Sequence, residues 1–375
     1  MPLPPAGSPR VLIVTPEIAY LPEGIAANAG EIRIGTGPPA EIAATLVSAM
    51  FRRGVDVHVA LPDFRRWFHT RSCCTRAGES RQRLSVCENR VHLAEDRHLF
   101  YWKPNVYRNA NDAITIALAF QREVINHIVP LVQPDLIHCM GWMTGLIPAM
   151  ARERGIPCLF SIPKLDTGKA CLSAIEDRGI DAAGFWHHLY YERYPSDYET
   201  TRENIPVDFM ASGIWASDCV GMDSPVSLRD IVAGRSTFLD DGLRRVLSQK
   251  WEAGNAIDMG SPPAALLRAA HNGGGFLFDD AHPEGWPKDV PRAHAFYPLP
   301  VTDQYHRMHR VMSESALAAT QHAAPDRYMQ RYEKMLRRPL RHEGKRFSFE
   351  RHHCEVSPAK HHQPCLNGNG RYEMR

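Results

Sequence analysis

A strand, helix, strand pattern near the start of the chain limits its possible folds more than any other feature. The apolar run at residues 11–14 is typical of a strand covered on both faces of a parallel sheet. Residues 40–53 carry apolar side chains at three- and four-residue spacing and are followed by Gly54, which predicts an amphipathic helix. The run at 55–61 predicts a second strand, so the helix forms a crossover between parallel strands.

The turn between the first strand and this helix has the sequence Gly35-Thr36-Gly37-Pro38-Pro39-Ala40-Glu41-Ile42. In α/β folds, a glycine-bearing turn at this position can bind a phosphate group. Free backbone N–H groups and the positive end of the helix dipole meet there. The turn is therefore the first candidate site for a nucleotide or a sugar phosphate.

The alternation of strands and helices continues along the chain. It predicts an α/β fold with a Rossmann-like, doubly wound parallel sheet. The aromatic run from Leu99 to Trp102 favours a buried strand, although its rings could instead stack on sugars. Further strands are predicted at 135–139, 156–162 and 218–225, and helices at 114–131, 143–154, 209–215, 228–233, 305–320 and 325–338.

Composition shifts divide the chain into five predicted segments. Residues 1–10 form an N-terminal lead, and residues 11–260 form the α/β domain. A junction rich in glycine and proline follows, then C-terminal helices, and then a basic, histidine-rich tail that we expect to be disordered. These last three segments cover residues 261–300, 301–340 and 341–375.

Charge and cysteine content limit the classes of partner and compartment. A formal net charge of +2 over 375 residues gives no electrostatic case for nucleic acid. Several of the nine cysteines lie in apolar runs, as reduced core residues do, which predicts a cytoplasmic protein. No apolar run approaches the roughly 18 residues of a membrane span, so we expect no membrane partner.

Several segments, in order, resemble the bacterial starch and glycogen synthases. They are residues 11–19 (Val-Leu-Ile-Val-Thr-Pro-Glu-Ile-Ala), 56–62, 134–138 with 142–149, and 154–157. Residues 274–280 and 328–336 resemble the extreme C-terminal part of this family. Its members are glycosyltransferases of the GT-B fold, and the present sheet would correspond to their N-terminal half. The resemblance implies α-1,4-glucosyl transfer from ADP-glucose to the non-reducing end of an α-glucan acceptor.

The resemblance also carries over six positions as substrate-binding residues, with no catalytic residue, cofactor or metal. In the family turn Lys-x-Gly-Gly-Leu-x-Asp, the lysine meets the phosphate of the nucleotide sugar, but here Gly35 takes its place. Losing one such charge-assisted contact costs about 1.5 to 3 kcal/mol. The six positions are Thr36, Gly37, Glu41, Trp142, Thr144 and Gly145.

Two further departures lead us to expect little or no synthase activity from the chain alone. The family's His-Asn after the next strand reads Pro163-Lys164, where the lysine could supply a compensating charge or be merely solvated. A GT-B enzyme also needs a second Rossmann domain, which we predict to be absent or vestigial, so ADP-glucose would bind weakly. The alternatives are a non-catalytic glucan-binding pseudoenzyme or a degenerate remnant, and a separate partner chain could supply the missing half.

Histidines and cysteines in the tail are the residue types that bind zinc. His352-His353-Cys354 and His361-His362 with Cys365 fit no finger spacing, and no apolar segment surrounds them. The sequence therefore predicts no metal site.

Overall fold

The computed structural model describes residues 8–26, 29, 32, 34, 38–64, 90–100, 110–222, 228–234, 240–258, 298, 300, 302–303 and 324–340. All of them belong to one compact unit that extends to His342. The turn residues 35–37, a helix predicted at 305–320 and the histidine-rich tail lie outside the described residues. The five-segment division of the chain stays a prediction.

Nine strands lie in the described part of the chain. They are β1 Arg10–Val14, β2 Asp56–Pro62, β3 Val91–Ala94, β4 Leu136–Met140, β5 Cys158–Ile162, β6 Lys169–Ala170, β7 Val207–Asp208, β8 Cys219–Met222 and β9 Ala256–Asp258. Seven of them form one parallel sheet in the order β3-β2-β1-β4-β5-β8-β9, and β6 and β7 form a small antiparallel pair. The predicted α/β fold with a doubly wound parallel sheet is confirmed.

The direction of strand addition reverses in the middle of this sheet. From β1 the chain adds β2 and β3 on one side, and it then returns to place β4 on the other side of β1. The gap between β1 and β4 is therefore the topological switch point, where doubly wound sheets bind ligands outside the carboxyl ends of the strands.

Helices connect these strands and cover the sheet. The described helices are α1 Pro38–Arg52, α2 Arg97–Phe100, α3 Ala110–Glu123, α4 Val129–Val132, α5 Ile147–Glu153, α6 Leu172–Glu176, α7 Tyr198–Asn204, α8 Phe209–Ala216, α9 Leu228–Val232, α10 Asp241–Glu252 and α11 Ala324–Leu336. A π-helical turn at Val124–Ile128 joins α3 to α4, and 3-10 turns lie at Trp142–Thr144, Ala182–Gly184 and Trp186–His188. None of the helices in the described segments is long and apolar enough to cross a membrane.

The first turn of α1 contains the two prolines at which this sequence differs from the family turn. Pro38 and Pro39 are the first two helical residues. The N–H groups of a first turn have no partner inside the helix, and the φ of proline suits a helical start. The prolines are therefore compatible with the predicted helix, which begins two residues earlier than its apolar periodicity indicated.

Helix α11 packs on the central strands of the sheet. Its side chains Tyr328 and Tyr332 are fully buried. A Cβ atom at Gly221 in β8 would lie 2.7 Å from the hydroxyl of Tyr328, so the helix approaches this strand closely. Beside it, Arg53, the residue after α1, forms an ion pair with Asp326. Residues predicted as a C-terminal helix thus form part of the core.

Two sequence predictions differ from the observed elements. Leu99 and Phe100 lie in helix α2, so the predicted strand is wrong there, while residues 101–102 lie outside the described part. Leu99 is fully buried, so this one apolar side chain anchors the short helix α2 to the core. Helix α10 and strand β9, the seventh strand of the sheet, were not predicted from the sequence.

Candidate functional site

The loop after β1 forms one wall of the switch-point crevice. Thr15 is buried, and its hydroxyl donates to the carbonyl of Glu17 at 2.8 Å. The backbone of Ile18 exchanges two hydrogen bonds with that of Ile34, at 2.6 and 2.8 Å. The N–H of Ala19 donates to the carbonyl of Ala40 in the first turn of α1, at 3.1 Å. These contacts hold the loop against the start of α1.

Glu41 is the predicted turn residue that the structure describes, whereas Thr36 and Gly37 lie outside the described residues. Its side chain is in the first turn of α1, where the helix dipole favours a negative charge. Partial burial nevertheless raises the pKa of its carboxyl group. The residue itself is exposed, so the carboxyl group can reach a ligand near the turn.

Trp142 and Thr144 form the 3-10 turn that follows β4 and are both buried. The indole of Trp142 is 8% exposed and lies 6.3 Å from the ring of Phe209, centroid to centroid. Thr144 is fully buried, and its hydroxyl donates to the carbonyl of Gly141 at 2.8 Å. Both side chains therefore pack inside the wall of the crevice.

Gly145 allows this turn to approach α8. A Cβ atom at this position would lie 1.9 Å from the carbonyl oxygen of Phe209. A Cβ atom at Gly168 would likewise lie 2.4 Å from the indole of Trp142. The glycines thus serve close packing, and substrate-binding roles for Trp142, Thr144 and Gly145 stay predictions.

The loop after β5 carries Pro163 and Lys164, which occupy the positions of the family's His-Asn. The side chain of Lys164 is 71% exposed, and its Nζ lies 2.9 Å from a carboxylate oxygen of Asp166. The ammonium group is therefore partly compensated by its neighbour, although its exposure leaves it free to meet an anion.

A chain of buried and half-buried polar groups at β1, β2 and β3 was missed by the sequence reasoning. Arg10 Nε lies 3.2 Å from Asp56, whose other carboxylate oxygen lies 3.3 Å from His58 Nε2. His58 Nδ1 lies 2.9 Å from Nε2 of His92. Burial lowers the pKa of His58, and burial with the nearby His58 and Arg10 charges lowers that of His92 to about 3. The period-2 spacing of Asp56 and His58 was the available signal.

A cavity of about 260 Å³ lies away from the switch point, beside α2 and α3. Arg122 donates to Asp96 at 2.6 Å, and Arg178 lies 3.0 Å from His98. Burial opposes ionisation of Asp96, but hydrogen bonds from His98 and the charge of Arg122 together lower its pKa. Arg122 and Asp96 thus form an ion pair at this cavity.

Known proteins are similar to this chain over the part that contains the parallel sheet. Residues 10–249 match the family described as the starch synthase catalytic domain. The fold is similar to the catalytic domain of starch synthase IV from Arabidopsis thaliana bound to ADP and acarbose, at 18% identity and a TM-score of 0.47. This match covers 68% of the present chain and 52% of the other, so the chain spans about half the length of that structure.

A second solved structure is also similar. It is SsfS6, a glycosyltransferase of Streptomyces sp. SF2575, at 14% identity and a TM-score of 0.27. The match covers 88% of the present chain and 97% of the other.

Proposed function

Because this chain belongs to the starch synthase catalytic domain family, we propose that it binds an α-glucan at the crevice between the carboxyl ends of β1 and β4. The family reaction is glucosyl transfer from ADP-glucose to the non-reducing end of an α-1,4-glucan. We propose that this chain alone performs that transfer weakly or not at all.

The observation that carries the proposal is the position of the family match on the fold. The matched segment, residues 10–249, begins at β1 and ends within α10. It therefore includes the switch point and six of the seven strands of the parallel sheet. A sheet of this kind offers its ligand site at the crevice beside β1 and β4.

Exposed groups beside α1 suit a sugar ligand. The ring of Tyr20 is 37% exposed, and its hydroxyl lies 3.5 Å from Oγ1 of Thr45. A tyrosine offers an apolar face and a polar tip, which match the two kinds of surface on a pyranose ring. The carboxyl group of Glu41 is an acceptor for sugar hydroxyls on the same helix.

Two side chains that the resemblance assigns to donor binding are replaced in this chain, which supports weak transfer. Gly35 stands where the resemblance assigns the phosphate-binding lysine, and Pro163 stands where it assigns a sugar-binding histidine. Each lost contact costs about 1.5 to 3 kcal/mol, or about ten- to a hundredfold in rate. The described residues also contain one Rossmann-type sheet, whereas the GT-B reaction needs two. ADP-glucose is therefore proposed as a weak ligand.

Co-sedimentation with glycogen tests the binding part of the proposal. The purified protein should pellet with glycogen, and Tyr20→Ala and Glu41→Gln should each weaken that binding several-fold. Glu252→Gln is the matched control, because Glu252 is an exposed residue at the end of α10, in a different part of the fold. Equal binding by all four proteins would contradict the assigned site, and no binding by a folded wild-type protein would favour the remnant.

A further inference from the structure

Three potential metal ligands meet on the surface between α5 and a 3-10 turn. Glu153 is the last residue of α5, and His187 and His188 belong to the turn Trp186–His188. One carboxylate oxygen of Glu153, Oε2, lies 3.5 Å from Nε2 of His187 and 3.3 Å from Nε2 of His188. Each of the three residues offers one ligand atom, and these atoms all lie within 4.8 Å of one another.

The two nitrogen–oxygen distances suit a shared metal ion at least as well as they suit direct hydrogen bonds. A hydrogen bond from a ring nitrogen to a carboxylate is about 2.7 to 3.2 Å long. Ligand atoms about 2.0 to 2.1 Å from a tetrahedral zinc ion lie about 3.3 to 3.4 Å apart. The Glu153 distances of 3.3 and 3.5 Å match the edges of such a tetrahedron.

We propose that Glu153, His187 and His188 bind a divalent transition metal ion, with Zn²⁺ as the preferred ion. Two imidazoles and one carboxylate are borderline ligands, which favour Zn²⁺ over Mg²⁺ or Ca²⁺. They leave one tetrahedral position for water or for a ligand atom from another molecule. The side chains are partly exposed, at 49% for Glu153 and His187 and 23% for His188, so an ion can enter from solvent.

The charges around these ligands permit binding. The carboxylate of Glu153 supplies one negative charge, while the neighbouring Arg152 opposes a cation. Histidine binds a metal through its neutral imidazole, so His187 and His188 add no positive charge to the occupied site.

Metal binding would link two segments that are distant in the sequence. Helix α5, which ends at Glu153, connects β4 to β5, whereas the turn Trp186–His188 lies 33 to 35 positions after Glu153. A ligand that binds the folded state alone stabilises it by mass action. Zn²⁺ at this site should therefore raise the unfolding temperature of the full chain.

Calorimetric titration of the full chain with Zn²⁺ gives the affinity and stoichiometry. Because the tail could also bind zinc, the background protein carries four alanine substitutions there. In this background one Zn²⁺ should bind per chain, and His187→Ala, His188→Ala and Glu153→Gln should each weaken it at least tenfold. The four tail substitutions are His352→Ala, His353→Ala, His361→Ala and His362→Ala.

His127→Ala is the matched control. His127 is an exposed histidine whose Nε2 lies 3.9 Å from a carboxylate oxygen of Glu123, so it also pairs with a glutamate. Among the described residues, this pair does not belong to a group of three possible metal ligands. This variant should bind Zn²⁺ as its parent does. Unchanged affinity and stoichiometry in the folded double variant His187→Ala/His188→Ala would overturn the proposal, as would the absence of binding in the parent.

Co²⁺ provides a spectroscopic check on the ligand set. A four-coordinate site built from nitrogen and oxygen ligands gives visible d–d bands without a thiolate charge-transfer band. We expect these bands in the tail-substituted protein and their loss in His187→Ala/His188→Ala. A thiolate band that persists in this double variant would assign the ion to a cysteine and overturn the site.

Discussion

The phenolic oxygen of Tyr332 in α11 lies 2.5 Å from Nδ1 of His138 in β4, although the two residues are 194 positions apart. The other ring nitrogen of His138 lies 2.8 Å from the hydroxyl of Ser161 in β5. Ser161 is in turn hydrogen-bonded to Tyr328 of α11. All four residues are buried, so this hydrogen-bonded chain attaches α11 to the two strands at the centre of the sheet.

Tyr332→Phe should destabilise the protein by about 1 to 3 kcal/mol, because it leaves a ring nitrogen of His138 without this partner in a buried site. The measurement is the free energy of unfolding in urea. Tyr194→Phe is the control, since Tyr194 is 95% exposed and the same substitution there should change the stability by less than about 0.5 kcal/mol. Equal stabilities of the two variants would contradict the structural role of this hydrogen bond.

Stability should fall as the pH is lowered below 6.5. Burial lowers the pKa of His138 from 6.5 to about 3, and the pKa values of His58 and His92 are also lowered, mainly by burial. In this window the unfolded chain binds protons that the folded chain does not. Each such histidine therefore removes up to about 1.4 kcal/mol per pH unit between the unfolded and the folded pKa.

The check is the urea midpoint measured from about pH 7.5 down to about pH 5. We expect a constant midpoint above the ordinary histidine pKa and a progressive fall below it. A midpoint that rises on acidification would show that these histidines are charged in the folded protein.

Gly145→Ala should destabilise the protein by about 3 kcal/mol or more, since the added Cβ atom would lie 1.9 Å from a backbone carbonyl oxygen of Phe209. The φ of −69° at Gly145 suits any residue, so the expected cost comes from the clash alone. Gly184→Ala is the control, because no atom lies within 4 Å of the Cβ position there, and it should cost less than about 1 kcal/mol. Thermal unfolding of both variants decides whether Gly145 is a packing residue.

The first half of the fold could be predicted because its signals are local. The apolar run of β1 and the periodicity of α1 each lie within a dozen or so residues, and the crossover rule then makes β2 parallel. The contact between α11 and β4 depends on packing between distant parts of the chain, which periodicity does not report. The strand predicted at Leu99 was wrong for a related reason, because a short apolar segment suits a strand or a helix equally.

For the candidate site, the sequence indicated a region of the fold and not the arrangement of its side chains. The glycine-bearing turn predicted after β1 points to the edge of the sheet where the strand order reverses. Sequence alone could not show that Thr144 turns its hydroxyl inward, because burial depends on the approach of α8 to the turn after β4. The pairing of Glu153 with His187 and His188 was missed because ligands separated by more than thirty positions have no sequence spacing to recognise.

Incorporation of labelled glucose from ADP-glucose into glycogen tests the central claim most directly. The assay uses the purified full chain, with co-sedimentation measured in the same preparation. The proposed function predicts that the protein pellets with glycogen while incorporation stays at the level of a blank without protein. Incorporation well above that blank would contradict the claim, because it would show that the chain alone binds the donor and transfers glucose.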